Sequence, residues 1–389
     1  MSIPSIRMLA EWEPHRATLL AWPHNKHTWP GEQLEKVERT YTDLLKALLP
    51  HEDVILLVLN DEMKQRLIAQ LRDELGEIAD GSSSLASSLN GSLTSSLDGS
   101  RSHSITYQVL PTNDCWIRDY GPITVQCSQG FPEANRIKPN SGCWTLWGYN
   151  AWGGKYPPWD SDRAVAQTLV NVLNREASIK LETFQYPEIL EGGSVECNGA
   201  GTLITTESVL LNSNRNPHLN KSEIEDMLRK ALGVETIIWL KGGIAGDDTD
   251  GHVDDITRFV SRDTIITGIC DDPEDPNYEV LNENLQILKA AKDTKGRYFR
   301  IEPVPVPRIG YEQNTVDGSE FFPASYLNFY IANGVVLLPI FGDSQDDEVI
   351  ERFGKWFPGR KICPVPCKDL VFGQGGIHCI TNTFFYGGL

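Results

Sequence analysis

Near its C-terminus the chain reads FGQGGIHCITN (372–382), placing the thiol of Cys379 behind Gly373, Gly375 and Gly376, with no second cysteine at metal-ligand spacing. A thiolate is the attacking form of cysteine, and nearby positive charge or backbone N–H groups favour it. A lone cysteine is ordinarily inert filler, but filler needs no glycine-rich approach, and glycine lets a ligand come close to the backbone. A second cluster, GDDTDGHVDD (246–255), surrounds His252 with Asp247, Asp248, Asp250, Asp254 and Asp255. Neighbouring carboxylates hold an imidazole more protonated, which suits it to protonate a leaving nitrogen. Asp254, two residues on, falls on the face of His252 if the segment is extended. The alternating acids also suggest a calcium loop, but the twelve-residue pattern ending in Glu is missing. NDCWIRDYGP (113–122) sets Asp119 close to Trp116 and Arg118, and LEGGSVECNG (190–199) sets Glu191 before two glycines.

Together these residues disfavour peptide hydrolysis. An attacked peptide carbonyl builds negative charge, and surrounding acids would raise that barrier. A guanidinium suits them better: it stays cationic and presents a planar fork of donors that carboxylates accept in pairs. Clamped between acids, its electrophilic carbon lies over the thiolate. The residues point to nucleophilic attack on a guanidine carbon.

The bulk composition agrees with a soluble chain taking a small cation. Of 389 residues 40% are hydrophobic, enough for a large core. The 53 acids outnumber the 35 lysines and arginines, for a net charge of −18, which disfavours nucleic acid and anionic membrane and attracts small cations. No apolar run reaches membrane-span length. MSIPSIRMLAEWEPHR lacks the basic and apolar regions of a secretory signal, so a cytosolic protein with reduced thiols is expected. Cys363 and Cys367 form a CxxxC around a stiff PVP, with no His or Cys cluster following, so no metal site is expected.

The elements that must position these clusters alternate. ATLLAWP, DVILLVL, ITYQVL, TLITTESVLLN, TIIWL, TIITGI, VVLLPIF and KICPVP read as strands. EQLEKVERTYTDLLKALL, DEMKQRLIAQLRDEL, RAVAQTLVNVLNREA, KSEIEDMLRKAL, YEVLNENLQILKAA and DEVIERFGKWF read as helices, most with amphipathic spacing; Ser222 is a candidate start for the fourth and Gly233 its stop. The result is an α/β protein. Residues 80–104, rich in Ser, Gly, Leu and Asn, read as a surface insertion that cannot repay its ordering entropy. Asp119 to Glu191 is 72 residues, Glu191 to His252 is 61, and His252 to Cys379 is 127, about twice 63. Modules of that length, each delivering a polar cluster at a strand end, suit either a radial arrangement about an axis or an open doubly wound sheet.

At these residues the chain resembles the agmatine deiminases, guanidine-modifying enzymes of the pentein fold. AEWEPHRATLLAWPHNKHTWPG (10–31), NDCWIRDYGPI (113–123), EGGSVECNGAGTLITTESVLLNSNRNP (191–217), GIAGDDTDGHVDDITRF (243–259), NFYIANGVVLLPIFGD (328–343) and GGIHCIT (375–381) carry the likeness almost end to end. The resemblance implies a five-bladed α/β propeller and one catalytic domain over 1–389. It implies Cys379 as nucleophile through an amidino-cysteine, His252 as acid/base and Glu191 as the carboxylate orienting it. Asp119 and Asp254 match the acids that grip the guanidinium, Asp248 one that meets the far amine, and Trp116 a pocket wall. It further implies conversion of agmatine to N-carbamoylputrescine and ammonia in polyamine (putrescine) biosynthesis, no metal or organic cofactor, and often a homodimer or larger homo-oligomer. Asn198 and Ala200 replace the family's usual acids, and Asn382-Thr383 its usual Gln-Gln, which touches substrate choice more than chemistry. The alternatives are an arginine or peptidyl-arginine deiminase, an amidinotransferase, or a non-catalytic polyamine-binding protein.

Overall fold

The computed structural model describes residues 6–81, 103–127, 141–176, 182–309, 315 and 318–385. Among them the strands form five separate sheets that repeat one plan. A short strand runs antiparallel to a central strand; a helix then returns the chain to a third strand parallel to the central one. In the first sheet Ile123–Cys127 pairs antiparallel with Ser141–Gly148, and Glu182–Ile189 pairs parallel beyond it; Ile6–Met8 adds an antiparallel edge. The second runs Glu196–Cys197, Thr202–Thr206, Thr236–Leu240. The third runs Thr257–Phe259, Thr264–Ile269, Arg300–Pro305. The fourth runs Tyr330–Ile331, Val335–Ile340, Lys361–Pro366. The fifth closes the two ends of the chain: Thr381–Phe384 lies against Ala17–Ala21, followed by Asp53–Val58 and Ile105–Val109, both parallel. Each parallel pair needs a crossover, which is why a helix separates its strands in sequence.

Those helices fit the expected periods. Gln33–Leu48 buries Val37, Tyr41, Leu44, Leu45 and Leu48 against strands of the fourth and fifth sheets. Full burial of each such aliphatic side chain is worth about 1.5–3 kcal/mol. Lys221–Leu232 covers the predicted residues, but its cap is Asn220, whose side chain accepts the Glu223 N–H while Glu223 returns a bond to the Asn220 backbone. That reciprocal box satisfies two otherwise unpaired donors, which Ser222, already inside the helix, cannot do. Gly233 stops it with φ +66°, where an added Cβ would fall 1.8 Å from the Ile6 carbonyl.

Two expectations change. TLITTESVLLN is a strand only as far as Thr206; Glu207–Leu210 turns helically, since at Glu207 the branched run ends. Val253–Asp255 is a 3₁₀ turn, not an extended segment. Ile123–Cys127, Ser141–Gly148, Glu182–Ile189 and Arg300–Pro305 were hidden by polar and proline residues. Most of the Ser-rich stretch, 82–102, lies outside the described residues; of its ends, His103 is buried and the Ser104 N–H donates to Asp53 at 2.9 Å. No helix among the described residues is long and apolar enough to cross a membrane.

Candidate active site

Each sheet sends one segment to the site, from within four residues ahead of its antiparallel strand: Asp119, Gly193, Asp254, Asn328 and Cys379 precede Ile123, Glu196, Thr257, Tyr330 and Thr381. The repeat therefore has a fifth member, Asn328, in the long interval between His252 and Cys379. Asn328 Nδ2 lies 3.2 Å from Cys379 Sγ and donates to Asp255 Oδ1 at 2.9 Å, while its Oδ1 accepts the backbone N–H groups of His378 at 2.8 Å and Cys379 at 3.3 Å. The asparagine holds the thiol, the acid and the chain that carries the thiol. Sequence reasoning missed it because an amide has no reactivity to notice; the doubled interval was the available signal.

Gly193 marks the centre. A Cβ there would lie 2.6 Å from His252 Nδ1 and 2.9 Å from both Asp119 Oδ1 and Asp254 Oδ2, so three groups from two other segments crowd one point. The Gly193 N–H donates to Asp119 Oδ1 at 2.9 Å, and Trp152 Nε1 donates to Asp119 Oδ2 at the same distance. His252 is fully buried, 3.8 Å from Asp119 Oδ1, and its backbone N–H donates to Asp247 at 3.0 Å. Asp254 is fully buried; His378 Nδ1 lies 2.6 Å from its Oδ2, leaving Oδ1 without a partner among the described residues. On its other side the His378 ring meets Glu11 Oε2 at 2.8 Å, and Glu11 in turn binds Arg118 and Arg258, each at 3.0 Å.

Glu191 sits differently from expectation. Its Oε1 pairs with Arg215 Nε at 2.6 Å, and neither ring nitrogen of His252 has a hydrogen-bond partner among the described residues. Glu191 reaches the imidazole through its field. Arg215 was not anticipated because it lies 24 residues from Glu191.

The electrostatics follow from burial and sign. Burial works against charge on His252, but Asp119, Asp254, Glu191 and Asp247 outweigh it and raise the imidazole pKa. Burial, with Asp254, Asp255 and Asp119, pushes the Cys379 thiol well above its usual range, eased in part by the Gly376 N–H. Asp119 is raised by burial, though His252 pulls it down. Asp254 is lowered: His378 and His252 overcome its desolvation. These fields favour a protonated imidazole and a neutral thiol in the free site, and they suit it to a cation.

Cys379 Sγ and one oxygen each from Asp254 and Asp255 lie within 4.8 Å of one another, the only such trio among the described residues. With those acids already bonded to His378 and Asn328, the set matches neither calcium's oxygen cage nor the His/Cys set of zinc. Cys363 lies within a strand and Cys367 just beyond its end.

Above this floor opens a cavity of about 630 Å³, lined by Trp116, Asp119, Trp152, Tyr156, Asp248 and Cys379 among others. Trp116 packs on Trp29 with ring centroids 5.5 Å apart, and Gly375 passes so close that a Cβ would fall 2.4 Å from the Trp116 ring. Asp248 stands partly exposed, its carboxylate bonded to the Tyr156 hydroxyl and its carbonyl to Lys155. Of the residues singled out from the sequence, Trp116, Asp119, Asp248 and Cys379 line this cavity, His252 and Asp254 meet Asp119 beside Gly193, and Glu191 lies behind the histidine.

A repeated α/β fold that converges a thiol, an imidazole and paired acids beneath an open cavity defines a class of enzyme-like sites for cationic ligands. Comparison with known proteins is consistent. The family model for Porphyromonas-type peptidyl-arginine deiminases matches residues 7–384, and the chain belongs to that family. It is 37% identical to a Legionella pneumophila (strain Paris) protein named "Putative agmatine deiminase", over 96% of this chain and 94% of that one. It is 33% identical to an agmatine deiminase of Pseudomonas aeruginosa (strain LESB58), over 97% and 94% of the two. The solved agmatine deiminase of Enterococcus faecalis superimposes with a TM-score of 0.78 at 28% identity, covering 98% of this chain and 96% of that one.

Proposed function

We propose that the protein is an agmatine deiminase, hydrolysing the guanidinium of agmatine to N-carbamoylputrescine and ammonia, a step toward putrescine. The carrying observation is the convergence, at the floor of one cavity, of the Cys379 sulfur, the His252 imidazole and the carboxylates of Asp119 and Asp254. The names of the similar proteins support this reading, and a C. jejuni agmatine deiminase variant solved with substrate bound has a TM-score of 0.78 at 27% identity, covering 99% of this chain and 97% of that one. In this reading the chain is one catalytic unit, and its five sheets are blades about a central axis on which the five site segments meet.

The guanidinium enters between Asp119 and Asp254, whose unpartnered Oδ1 accepts its N–H. Its positive charge offsets the carboxylates that hold the thiol neutral, so binding favours the thiolate, with the thiol proton released to solvent. The sulfur adds to the guanidine carbon, and protonated His252 gives its proton to the departing nitrogen, which leaves as ammonia. The resulting thiouronium is attacked by water that His252 deprotonates; the C–S bond breaks and a urea leaves. Asp248 at the cavity wall receives the far ammonium, and Trp116 lies along the aliphatic chain.

Lys155, also on that wall, favours a second reading in which a substrate carboxylate is met, as in arginine; its pairing with Asp250 at 2.8 Å argues against it. Ammonia release from agmatine, free arginine and a peptidyl-arginine, assayed side by side, decides among them. Mass spectrometry of enzyme quenched during turnover should show an amidine adduct on Cys379; a steady-state reaction with no adduct would overturn the covalent mechanism.

A further inference from the structure

Four successive residues, Ala151, Trp152, Gly153 and Gly154, have φ of +50°, +54°, +89° and +82°. Two of them carry side chains in a conformation that L-residues avoid, and such strain persists only where the surroundings enforce it. Here they do. Asn150 Oδ1 accepts the Gly153 N–H at 2.9 Å, Asn150 Nδ2 donates to the Asn214 carbonyl at 2.9 Å, and Gly153 abuts Asn214 so closely that a Cβ would lie 2.3 Å from its Nδ2. The turn buries the Trp152 ring edge-on between Tyr149 and Tyr156, with centroids 5.8 and 5.7 Å away. From there Nε1 donates to Asp119 Oδ2 at 2.9 Å, on the carboxylate whose other oxygen takes the Gly193 N–H.

We propose that Trp152 is a positioning residue: held by the left-handed turn, its indole N–H fixes the Asp119 carboxylate in the orientation and ionised state that receives a guanidinium. This rests on the guanidine-hydrolase reading above. A ring alone would wall the cavity equally well from an unstrained backbone; the strained turn delivers the N–H to that oxygen. The groups facing Asp119 are His252, Asp254, Glu191, Asp255, Cys379 and Tyr149. Of these His252 favours its ionisation, Asp254 and Glu191 oppose it, and the Trp152 N–H adds to the favourable side. Losing that N–H raises the carboxyl further, so binding of a cation fails at a higher pH.

The test compares wild type with Trp152→Phe, which keeps a ring and deletes the donor. Cys379 is alkylated with 2-chloroacetamidine, a cation shaped like the guanidinium end, and with neutral iodoacetamide, from about pH 5 to about pH 9, bracketing the carboxyl and imidazole ranges. In wild type the cation-to-neutral rate ratio exceeds that of free cysteine and falls on the acid side. In Trp152→Phe the fall moves to higher pH, and kcat/KM for agmatine at neutral pH drops by about ten- to a hundredfold, the size of a lost hydrogen bond to a charged group. A wild type preferring the cation, with a variant curve superimposed on it, would overturn the role of Trp152 and leave the function intact, even if the melting temperature fell. A wild type with no preference for the cation would sink the guanidinium reading and this inference with it. Should Trp152→Phe not fold, replacing the indole at 152 by benzothiophene keeps both rings and removes only the N–H, with the same outcomes.

Discussion

Arg215 Nε lies 2.6 Å from Glu191 Oε1, and both side chains are completely buried. The same guanidinium reaches Asp250 Oδ2 and Asn214 Oδ1, each at 2.7 Å, and the Thr249 carbonyl at 2.9 Å. One cation thereby ties the Glu191 turn to the loop that ends in His252. Removing it strands a buried carboxylate, which is far costlier than losing a surface pair. Arg215→Gln is expected to destabilise the fold by about 3–5 kcal/mol, read from denaturant midpoints. A change indistinguishable from zero would show the pair to be dispensable.

Asn328 donates toward the sulfur that must become an anion, and it also braces the backbone of residues 378 and 379. Asn328→Ala should lower kcat by about a hundredfold, as for loss of one donor to a developing charge. Asn328→Asp keeps the acceptor for the two backbone N–H groups but removes the donor and adds an acid. It should raise the thiol pKa, so the alkaline shift of Cys379 alkylation by iodoacetamide should grow relative to wild type. An unshifted profile would assign Asn328 to bracing alone.

The clamp is tested at its two acids. Asp119→Asn and Asp254→Asn each delete a charge from the guanidinium's surroundings, at about 2–4 kcal/mol of transition-state stabilisation. Specificity constants for agmatine should fall accordingly. Asp254→Asn should fall further because it also releases His378, whose other partner is Glu11. Unchanged kinetics in both variants would refute the clamp.

Gly193 tests the convergence itself. Gly193→Ala adds a methyl to a point 2.6 Å from the imidazole and 2.9 Å from two carboxylates. Even small displacements of reacting groups cost heavily, so turnover should drop by at least about a hundredfold. Full activity would mean that these groups are more loosely held than their positions indicate.

Asp162 provides a pH-dependent stability test. Burial pushes its carboxyl up to about 8, although it accepts the Asn113 and Asp114 N–H groups at 2.6 and 3.3 Å. The folded state therefore keeps a proton that the unfolded chain releases near pH 3.9. The sign is that of a raised carboxyl: its contribution to stability is greatest below the unfolded value and declines as pH rises to about 8. Asp162→Asn retains an acceptor and carries no charge, so its melting temperature relative to wild type should rise between mildly acidic pH and pH 8. A parallel pair of stability curves would contradict the assignment.

Reading the chain alone located most elements and the conspicuous residues that the fold brings together. Branched runs such as TIITGI and amphipathic runs such as KSEIEDMLRKAL encode their structure locally, because period and propensity act between near neighbours. Cys379, His252 and their acids were legible because their residue types are conspicuous beside glycine. What tertiary structure decided were relationships without a local signal. Asn328 beside the thiol spans 51 residues, Arg215 meets Glu191 across 24, and the Trp152 donor reaches Asp119 across 33. His252 and Asp254 reach the same point through a 3₁₀ turn, not the extended backbone that the sequence suggested. Amides, buried arginines and indole donors take their meaning from the burial around them, and burial exists only once distant segments have packed together.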